Sequence, residues 1–311
     1  MELDVPVCCV CGSTDSRAIC ETRDWVHVTT TDAVSFVQCE GCAHVFQSPR
    51  VAIEYGHTLY PTNNVMLAEK SLTLLLRVKK LVQLRRIRKL LDYVPPNGTI
   101  LEVGAGDGVL LTAIRDQRSD IRLIAIDILF SSTTIERLAD SRIEMLETPI
   151  DALASAENID VGMVDVVVMN QSIEHLWKPD VVLSYLARVL SKDGRIAVST
   201  PDFDGYDRKL WNQYWGGWYA PRHLNLFTQS AIERLALNCG LCVTHKKHLV
   251  APVIWCHSVG GYLKSRFPNG RLPKRLLKSP IVALLLFAVV DLLARSLRLR
   301  TSNIEYVLQR H

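Results

Sequence analysis

The segment Ile100-Leu101-Glu102-Val103-Gly104-Ala105-Gly106-Asp107-Gly108 carries the clearest structural signal in the chain, since a short apolar strand runs directly into three glycines. A helical pattern over 108–118 follows, which places the glycines in a turn at the carboxyl end of a strand. Open α/β sheets bind their ligands at this edge. Glycine suits such a turn because a side chain would keep a ligand away from the backbone. The Gly-x-Gly-x-Gly spacing differs from the Gly-x-Gly-x-x-Gly spacing of dinucleotide-binding proteins, so it does not predict a dinucleotide site.

Apolar segments and helical patterns alternate along the central part of the chain. Strands are predicted at 100–103, 123–126, 143–146, 164–169, 196–200, 241–243 and 304–309, and helices at 66–92, 108–118, 132–140 and 180–190. This alternation predicts a parallel, doubly wound α/β sheet. The continuous apolar pattern of 164–169 fits a strand that is covered on both faces.

Two acidic residues flank the glycine turn. Glu102 lies two residues before Gly104, and Asp127 ends the second predicted strand, 19 residues after Gly108. A carboxylate at the end of that strand can accept hydrogen bonds from both hydroxyls of a ribose. The strand, the turn and the two acids together predict a nucleotide-type site, with a tight structural turn as the plainer alternative.

Three segments resemble motifs of the class I S-adenosylmethionine-dependent methyltransferases. Residues 102–108 resemble the first motif of that family, residues 125–128 the second, and residues 164–170 its fourth strand. The resemblance extends over roughly residues 66–250. It implies a Rossmann-like, mostly parallel seven-stranded sheet whose final antiparallel strand is supplied by residues 304–309.

The same resemblance implies which residues bind the cofactor, S-adenosylmethionine. The family pattern assigns the methionine part to Glu102 and the glycine turn, the ribose to Asp127, and the adenine to the residues after the third strand. The implied cofactor-binding residues are Glu102, Gly104, Ala105, Gly106, Gly108, Asp127, Ile128, Thr148, Pro149, Ile150 and Asn170. The predicted enzyme is therefore a methyltransferase that uses S-adenosylmethionine.

Two histidines and an arginine are the candidate catalytic residues. Methylation at oxygen or nitrogen can need a base, and His is the commonest choice. His175 follows the fourth predicted strand and His223 follows the fifth, although each could instead form a structural loop hydrogen bond or cap a helix. The segment Pro221-Arg222-His223-Leu224 resembles a loop of methyltransferases from sugar and cell-envelope pathways. Arg222 pairs either with a phosphate or carboxylate of the acceptor or with a neighbouring acid.

The first 60 residues contain two cysteine pairs, Cys8-x-x-Cys11 and Cys39-x-x-Cys42, separated by 27 residues. Four thiolates at this spacing suit a closed tetrahedral metal site, with zinc preferred to iron. The segment resembles the zinc ribbon that precedes the methyltransferase domain in some bacterial enzymes, some of which methylate nucleotide sugars. We predict a structural zinc ion held by Cys8, Cys11, Cys39 and Cys42, which stabilises a segment too small for its own core.

The net charge of +4 is too small to predict nucleic-acid binding, but the positive charge is clustered. Residues 77–89 contain seven Lys or Arg and no acid, and residues 255–311 contain ten Lys or Arg against two acids. The longest apolar run, 281–290, is about half the length that a membrane span needs. Basic residues around an apolar run favour an interfacial helix at an anionic membrane surface. A solvated face, a buried helix, a dimer contact and RNA binding are the alternatives.

The predicted organisation is a ribbon module at 1–60, a cofactor-binding methyltransferase domain at 61–254, and a basic, apolar helical insertion with a final strand at 255–311. The chain does not open with a secretory signal, so we expect a cytoplasmic enzyme, peripheral at the inner face of a membrane. Its predicted acceptor is a small molecule of the sugar or lipid-linked envelope-precursor kind, methylated at oxygen. An RNA methyltransferase and a non-catalytic cofactor-binding module are the alternatives. Nucleic acid is disfavoured because the ribbon carries few basic residues.

Overall fold

The computed structural model describes residues 2–59, 81, 84, 85, 87–155 and 161–311. Contacts divide the chain into two units, each formed by three separate segments. The cysteine unit contains Met1–Pro61, Ser199–Leu235 and Lys246–Glu305, and the sheet unit contains Thr62–Val198, Ala236–His245 and Tyr306–His311. These units combine segments that are distant in the sequence, whereas the predicted boundaries after residues 60 and 254 follow chain order.

The strands of the described residues are numbered in chain order. They are β1 (Leu3–Asp4), β2 (Ser16–Thr22), β3 (Val34–Cys39), β4 (Val45–Gln47), β5 (Arg50–Val51), β6 (Thr99–Val103), β7 (Arg122–Asp127), β8 (Glu144–Glu147), β9 (Val164–Asn170), β10 (Leu190–Pro201), β11 (Asn225–Leu226), β12 (Leu241–Leu249) and β13 (Asn303–Arg310). The α-helices between them are Val109–Arg115, Ser132–Asp140, Ile150–Ser155, Pro179–Val189, Tyr206–Trp211, Gln229–Asn238, Pro252–Arg266, Arg271–Leu276 and Ile281–Ser296. Shorter 3-10 helices occupy Ile53–Leu59, Ile173–His175, Asn212–Tyr214 and Gly216–Trp218.

The sheet unit is built on a seven-stranded sheet with the strand order β12-β13-β10-β9-β6-β7-β8. Strand β6 pairs in parallel with both β7 and β9, and β7 pairs in parallel with β8. The chain therefore fills the positions on one side of β6 first and then crosses to β9 on the other side. Such a reversal is a topological switch point, where doubly wound sheets bind ligands. The predicted seven-stranded α/β sheet is confirmed.

Apolar strands and helices form the core of the sheet unit. Every residue of β6 is buried, including the acidic Glu102. The core cluster includes Ile100, Leu111, Ile114, Leu123, Leu138, Val166 and Val168. Because helices cover the sheet, its central strands are apolar without alternation, as the sequence pattern indicated.

Most of the helix predicted over 66–92 lies outside the described residues. So do the basic residues Arg77, Lys79, Lys80 and Arg86. Residues 81, 84, 85 and 87–91 are helical, with Ile87 and Leu90 buried in the core cluster. The basic residues at 85, 88 and 89 are exposed, so this described part of the helix is amphipathic.

The cysteine unit contains a four-stranded sheet with the order β11-β4-β3-β2. Strands β2 and β3 pair antiparallel, with a register shift between Ala18 and Cys20. The core of this unit joins residues from distant parts of the chain, namely Val34, Phe36, Val45, Phe203, Trp215, Trp218, Ala220, Leu226, Ala251 and Ile254. The amino-terminal segment is too short to bury a core of its own, and it shares this one with residues beyond position 200.

Candidate active site

The glycine turn begins where β6 ends, and its backbone explains why glycine is required. Gly104, Gly106 and Gly108 have φ angles of +75°, +55° and +66°, a region that other residues rarely adopt. A Cβ atom at Gly104 would lie 2.8 Å from the Cβ of Ser172. At Gly106, by contrast, no described atom lies within 4 Å of the position that a Cβ would take. The turn therefore packs closely against the end of β9, and none of the described residues fills the space beside Gly106.

Asp127 ends β7 and turns its carboxylate toward the glycine turn. Its Oδ2 accepts a hydrogen bond from the backbone N–H of Gly106 at 2.7 Å, and its Oδ1 accepts one from Ile128 at 2.7 Å. Burial raises the pKa of Asp127 and the charge of Glu147 adds to this effect, while the amide donors lower it. The backbone N–H of Leu129 is a third and weaker donor, 3.5 Å from Oδ1, and because an ionised carboxylate can accept about four hydrogen bonds, it retains acceptor capacity for a ligand hydroxyl.

The residues predicted to flank the adenine lie beside Asp127. The backbone N–H of Thr148 donates to the carbonyl oxygen of Asp127 at 2.8 Å. Pro149 is exposed, whereas Ile150 is buried and begins a helix. The structure thus brings the backbone of Thr148 to that of Asp127, with Pro149 exposed directly after it, but the side chain of Ile150 belongs to the interior.

The remaining predicted residues of this site lie at the ends of β6 and β9. Parallel pairing aligns Val103 with Met169, so Asn170 follows at the same edge of the sheet as Gly104. Ser172 follows two residues later, and it is a contact residue of the glycine turn that the sequence did not single out. Ser172 could have been proposed from the sequence because the chain reverses its direction at the carboxyl end of β9. His175 lies just beyond, half-buried in the 3-10 helix Ile173–His175.

Four cysteines of the cysteine unit converge as their spacing predicts. The Sγ atoms of Cys8 and Cys42 are 3.4 Å apart, as are those of Cys11 and Cys39, and all four lie within 4.8 Å of one another. Zinc–sulfur bonds of about 2.3 Å in a tetrahedron require sulfur atoms about 3.8 Å apart. The donor set and its spacing therefore fit a tetrahedral metal ion. Cys9 is not part of the cluster, and its Sγ lies 3.4 Å from Nε2 of His44.

Arg222 is 1% exposed and forms a buried ion pair within the cysteine unit. Its Nη2 donates to Oδ2 of Asp24 at 3.0 Å, and the backbone N–H groups of His27 and Thr29 also donate to this carboxylate. Burial raises the pKa of Asp24, but the hydrogen bond and charge of Arg222 outweigh it and hold the pKa at about 2. Of the two partners considered for Arg222, the structure therefore shows a neighbouring acid. Asp24 was not predictable from the sequence, because 198 residues separate it from Arg222.

His223 is nearly buried, and one hydrogen bond determines which of its nitrogens carries the proton. Its Nδ1 lies 2.8 Å from the carbonyl oxygen of Gly217, which can only accept, so Nδ1 is the donor. In a neutral imidazole, Nε2 is then the basic atom. The ring lies 5.1 Å from the ring of Tyr219.

Two further histidines surround Tyr219, and neither could be identified from local sequence spacing. The Tyr219 hydroxyl lies 2.7 Å from Nε2 of His27, and the His257 ring stacks on Tyr219 at 5.8 Å. Burial lowers the pKa of His257 to about 4, and the nearby positive charge of Arg222 contributes. Tyr219 and His257 also line a small pocket with Trp25, Tyr214 and Trp218.

A seven-stranded sheet in this order, with a glycine turn and an acidic residue at its switch point, is the architecture of class I S-adenosylmethionine-dependent methyltransferases. The chain belongs to the methyltransferase domain family, whose model matches residues 77–246, more than half of the chain. It is accordingly a methyltransferase enzyme. Among curated protein sequences, none matches this chain.

Several solved structures are similar to this chain at low sequence identity. Coclaurine N-methyltransferase, bound to N-methylheliamine and S-adenosylhomocysteine, is 13% identical, with a TM-score of 0.48 over 84% of this chain and 79% of that one. A putative sarcosine dimethylglycine methyltransferase from Galdieria sulphuraria is 15% identical, with a TM-score of 0.48 over 75% and 85%. A putative methyltransferase in complex with the Trm112 activator of Haloferax volcanii is 14% identical, with a TM-score of 0.47 over 76% and 93%.

Replacing Arg222 with methionine is expected to destabilise the protein by about 3–5 kcal/mol, because it leaves the Asp24 carboxylate buried without its partner. The depressed pKa of Asp24 contributes stability that is present above pH 4 and is lost as the pH falls toward 2. In Arg222→Met the carboxylate of Asp24 loses its cation and burial raises its pKa, so protonation at low pH removes the uncompensated buried charge, and the destabilisation relative to the unaltered protein should shrink as the pH falls. Urea denaturation between pH 7 and pH 3 measures both effects.

Arg17→Met is the matched control, since Arg17 is an exposed arginine of the same unit that bonds Gln38. It should change the free energy of unfolding by less than about 0.5 kcal/mol. Equal destabilisation by the two variants would contradict the importance of the buried pair.

Proposed function

We propose that this enzyme transfers the methyl group of S-adenosylmethionine to an oxygen of a small-molecule acceptor of the sugar or lipid-linked envelope-precursor kind. The observation that carries the proposal is the hydrogen bond from Nδ1 of His223 to the carbonyl oxygen of Gly217. This bond leaves Nε2 as the atom able to accept a proton. Methylation of a hydroxyl needs such a group, because the oxygen must lose its proton as the new bond forms.

The residues of the sheet unit fit the cofactor. Glu102, the open backbone at Gly106 and the rest of the turn would bind the methionine part, while Asp127 and Ile128 would bind the ribose. Thr148, Pro149 and Ile150 would flank the adenine, with Asn170 at the neighbouring strand end. The bound cofactor supplies an activated methyl group, so the protein contributes orientation, exclusion of water and the base.

The residues of the cysteine unit would bind the acceptor. The pocket of Trp25, Tyr214, Trp218, Tyr219 and His257 is too small to enclose a sugar, so its ring faces would contact only one apolar face of the acceptor. Arg222 stays bound to Asp24 and would position the adjacent His223 rather than touch the acceptor. His175 is the second candidate for the base, since it follows β9 at the ligand-binding edge of the sheet.

A labelling experiment tests the acceptor class. The purified protein and methyl-labelled S-adenosylmethionine are added to an extract of cells that lack the protein, and the products are divided into RNA, lipid and small-molecule fractions. We expect label in the lipid or small-molecule fraction. Label confined to RNA would contradict the proposal, and so would cofactor binding without label in any fraction.

We also propose that the four-cysteine cluster binds a structural zinc ion. Freshly purified, reduced protein should contain about one zinc per chain, because four converging thiolates at this spacing suit zinc. Cys39→Ser is expected to lose most of the metal, while Cys9→Ser, at a neighbouring cysteine outside the cluster, should keep it. Elemental analysis by mass spectrometry measures the content. Less than half an equivalent in the unaltered protein, or iron in place of zinc, would overturn the proposal.

A further inference from the structure

The helix Ile281–Ser296 turns its large aliphatic side chains outward. Seven of them are between 47% and 73% exposed: Ile281, Val282, Leu285, Leu286, Val289, Leu292 and Leu293. Their spacing of three and four residues puts them on one face of the helix. Monomeric proteins rarely leave such a continuous apolar face in water, so this face requires a partner.

A buried acid fixes the orientation of this helix. Asp291, its one acidic residue, is fully buried and accepts hydrogen bonds from the Trp255 indole N–H at 2.9 Å and from the backbone N–H of Ala251. Phe287 stacks on Trp255 at 5.7 Å. Rotation of the helix to bury the leucines would break these contacts and expose the aromatic pair. The outward apolar face is thus a property of the folded cysteine unit.

Basic residues accompany the apolar face. The exposed cations of the adjoining segments are Arg266, Arg271, Lys274, Arg275, Lys278 and Arg298. Among the described residues, no carboxylate forms an ion pair with any of them. Two further apolar side chains in the same segments, Phe267 and Leu272, are also exposed. The surface therefore combines exposed leucines with uncompensated positive charge.

We propose that this surface, formed by residues 266–298, binds an anionic lipid bilayer with the helix Ile281–Ser296 lying in the interface. Leucines inserted among acyl chains with cations at the headgroups are the arrangement of interfacial helices. The helix is about 24 Å long, and across the described residues no helix is both long and apolar enough to cross a bilayer. A second copy of the chain would bring the same cations together, whereas anionic lipid neutralises them. RNA would leave the leucines uncovered.

Vesicle flotation tests the proposal on the full chain. We expect the protein to float with vesicles of phosphatidylcholine and phosphatidylglycerol at low salt, and to stay behind with pure phosphatidylcholine. Combining Lys274→Gln, Arg275→Gln and Lys278→Gln should weaken partitioning about 100-fold. Combining Leu285→Gln, Leu286→Gln and Leu293→Gln should weaken it by at least as much, since the inserted apolar area is lost.

The matched controls change the same residue types at exposed positions elsewhere. Lys192→Gln, Lys209→Gln and Lys247→Gln together, and Leu237→Gln alone, should leave partitioning within about 3-fold of the unaltered protein. Circular dichroism confirms that each variant is folded. Failure to float with anionic vesicles at low salt would overturn the proposal. So would equal losses in the control variants, or a leucine-dependent dimer that does not bind vesicles.

Discussion

Replacing Asp127 with alanine is expected to weaken binding of S-adenosylmethionine about 100-fold or more. The carboxylate would accept hydrogen bonds from both ribose hydroxyls, and each bond to a charged group contributes about 1.5–3 kcal/mol. The substitution also removes the acceptor that holds the Gly106 N–H at 2.7 Å, so the glycine turn loses a support. Titration calorimetry with S-adenosylmethionine and with S-adenosylhomocysteine measures the loss.

Asp120→Ala provides a control at the opposite end of the same strand. Asp120 precedes β7, is exposed and pairs with Arg118 at 2.8 Å, far from the carboxyl edge of the sheet. The exposed ion pair contributes little, and its removal should leave cofactor affinity unchanged. Asp127→Ala with an affinity within about 3-fold of the unaltered protein would remove Asp127 from the ribose site while leaving the assignment of the fold intact.

Replacing His223 with asparagine is expected to lower the rate of methyl transfer about 100- to 10,000-fold, the range for loss of a general base. Asparagine is chosen because its amide can still donate a hydrogen bond to the Gly217 carbonyl, as Nδ1 does at 2.8 Å. It has no counterpart of Nε2. A purely structural histidine would therefore be replaced with little loss, and a catalytic one would not.

The division of the loss between kcat and KM distinguishes a base from a positioning residue. His223→Asn should lower kcat and leave the KM for the acceptor within about 3-fold, because a base acts in the transfer step and not in binding. The rate is measured with the acceptor fraction found by labelling, under saturating cofactor. His175→Asn is the comparison at the second candidate. If the rate of methyl transfer falls strongly in His175→Asn and is unchanged in His223→Asn, the base is His175.

The substitutions at Asp127 and His223 test cofactor binding and methyl transfer separately. Asp127→Ala reports on cofactor binding in the sheet unit, and its readout does not need an acceptor. His223→Asn reports on the transfer step, and its cofactor affinity should be unchanged. Loss of cofactor binding in Asp127→Ala with full activity in His223→Asn would support the enzyme class while removing the proposed base.

The glycine turn of the proposed cofactor site was predictable because its signals are local in sequence. A strand, a glycine turn and a helix follow one another within about fifteen residues, and the positive φ angles at Gly104, Gly106 and Gly108 need glycine whatever the tertiary surroundings. Asp127 was predictable because the end of the second strand must lie beside the first in such a sheet. Ser172 was missed, since its contact with Gly104 depends on the path of the chain after β9.

The cysteine cluster was predictable from the sequence only in part. The spacing within each pair is local, and it predicted the four residues that converge within 4.8 Å. The core of the cysteine unit was not predictable, because Phe36 and Val45 pack with Phe203, Trp215 and Trp218 from a distant part of the chain. Such contacts depend on burial and shape complementarity, which a single sequence does not encode at fixed spacing.

Sequence pattern alone thus predicted the glycine turn and the candidate metal ligands, which follow from short-range spacing and backbone geometry, while the resemblance of three segments to a known family predicted the enzyme class. The tertiary structure alone determined which partners the polar groups near the candidate base, His223, bind. It paired Arg222 with Asp24 across 198 residues and placed His27 and His257 around Tyr219. It also turned the leucines of Ile281–Ser296 outward, because the Asp291 carboxylate could be buried only where the Trp255 N–H and a backbone N–H were there to bond it.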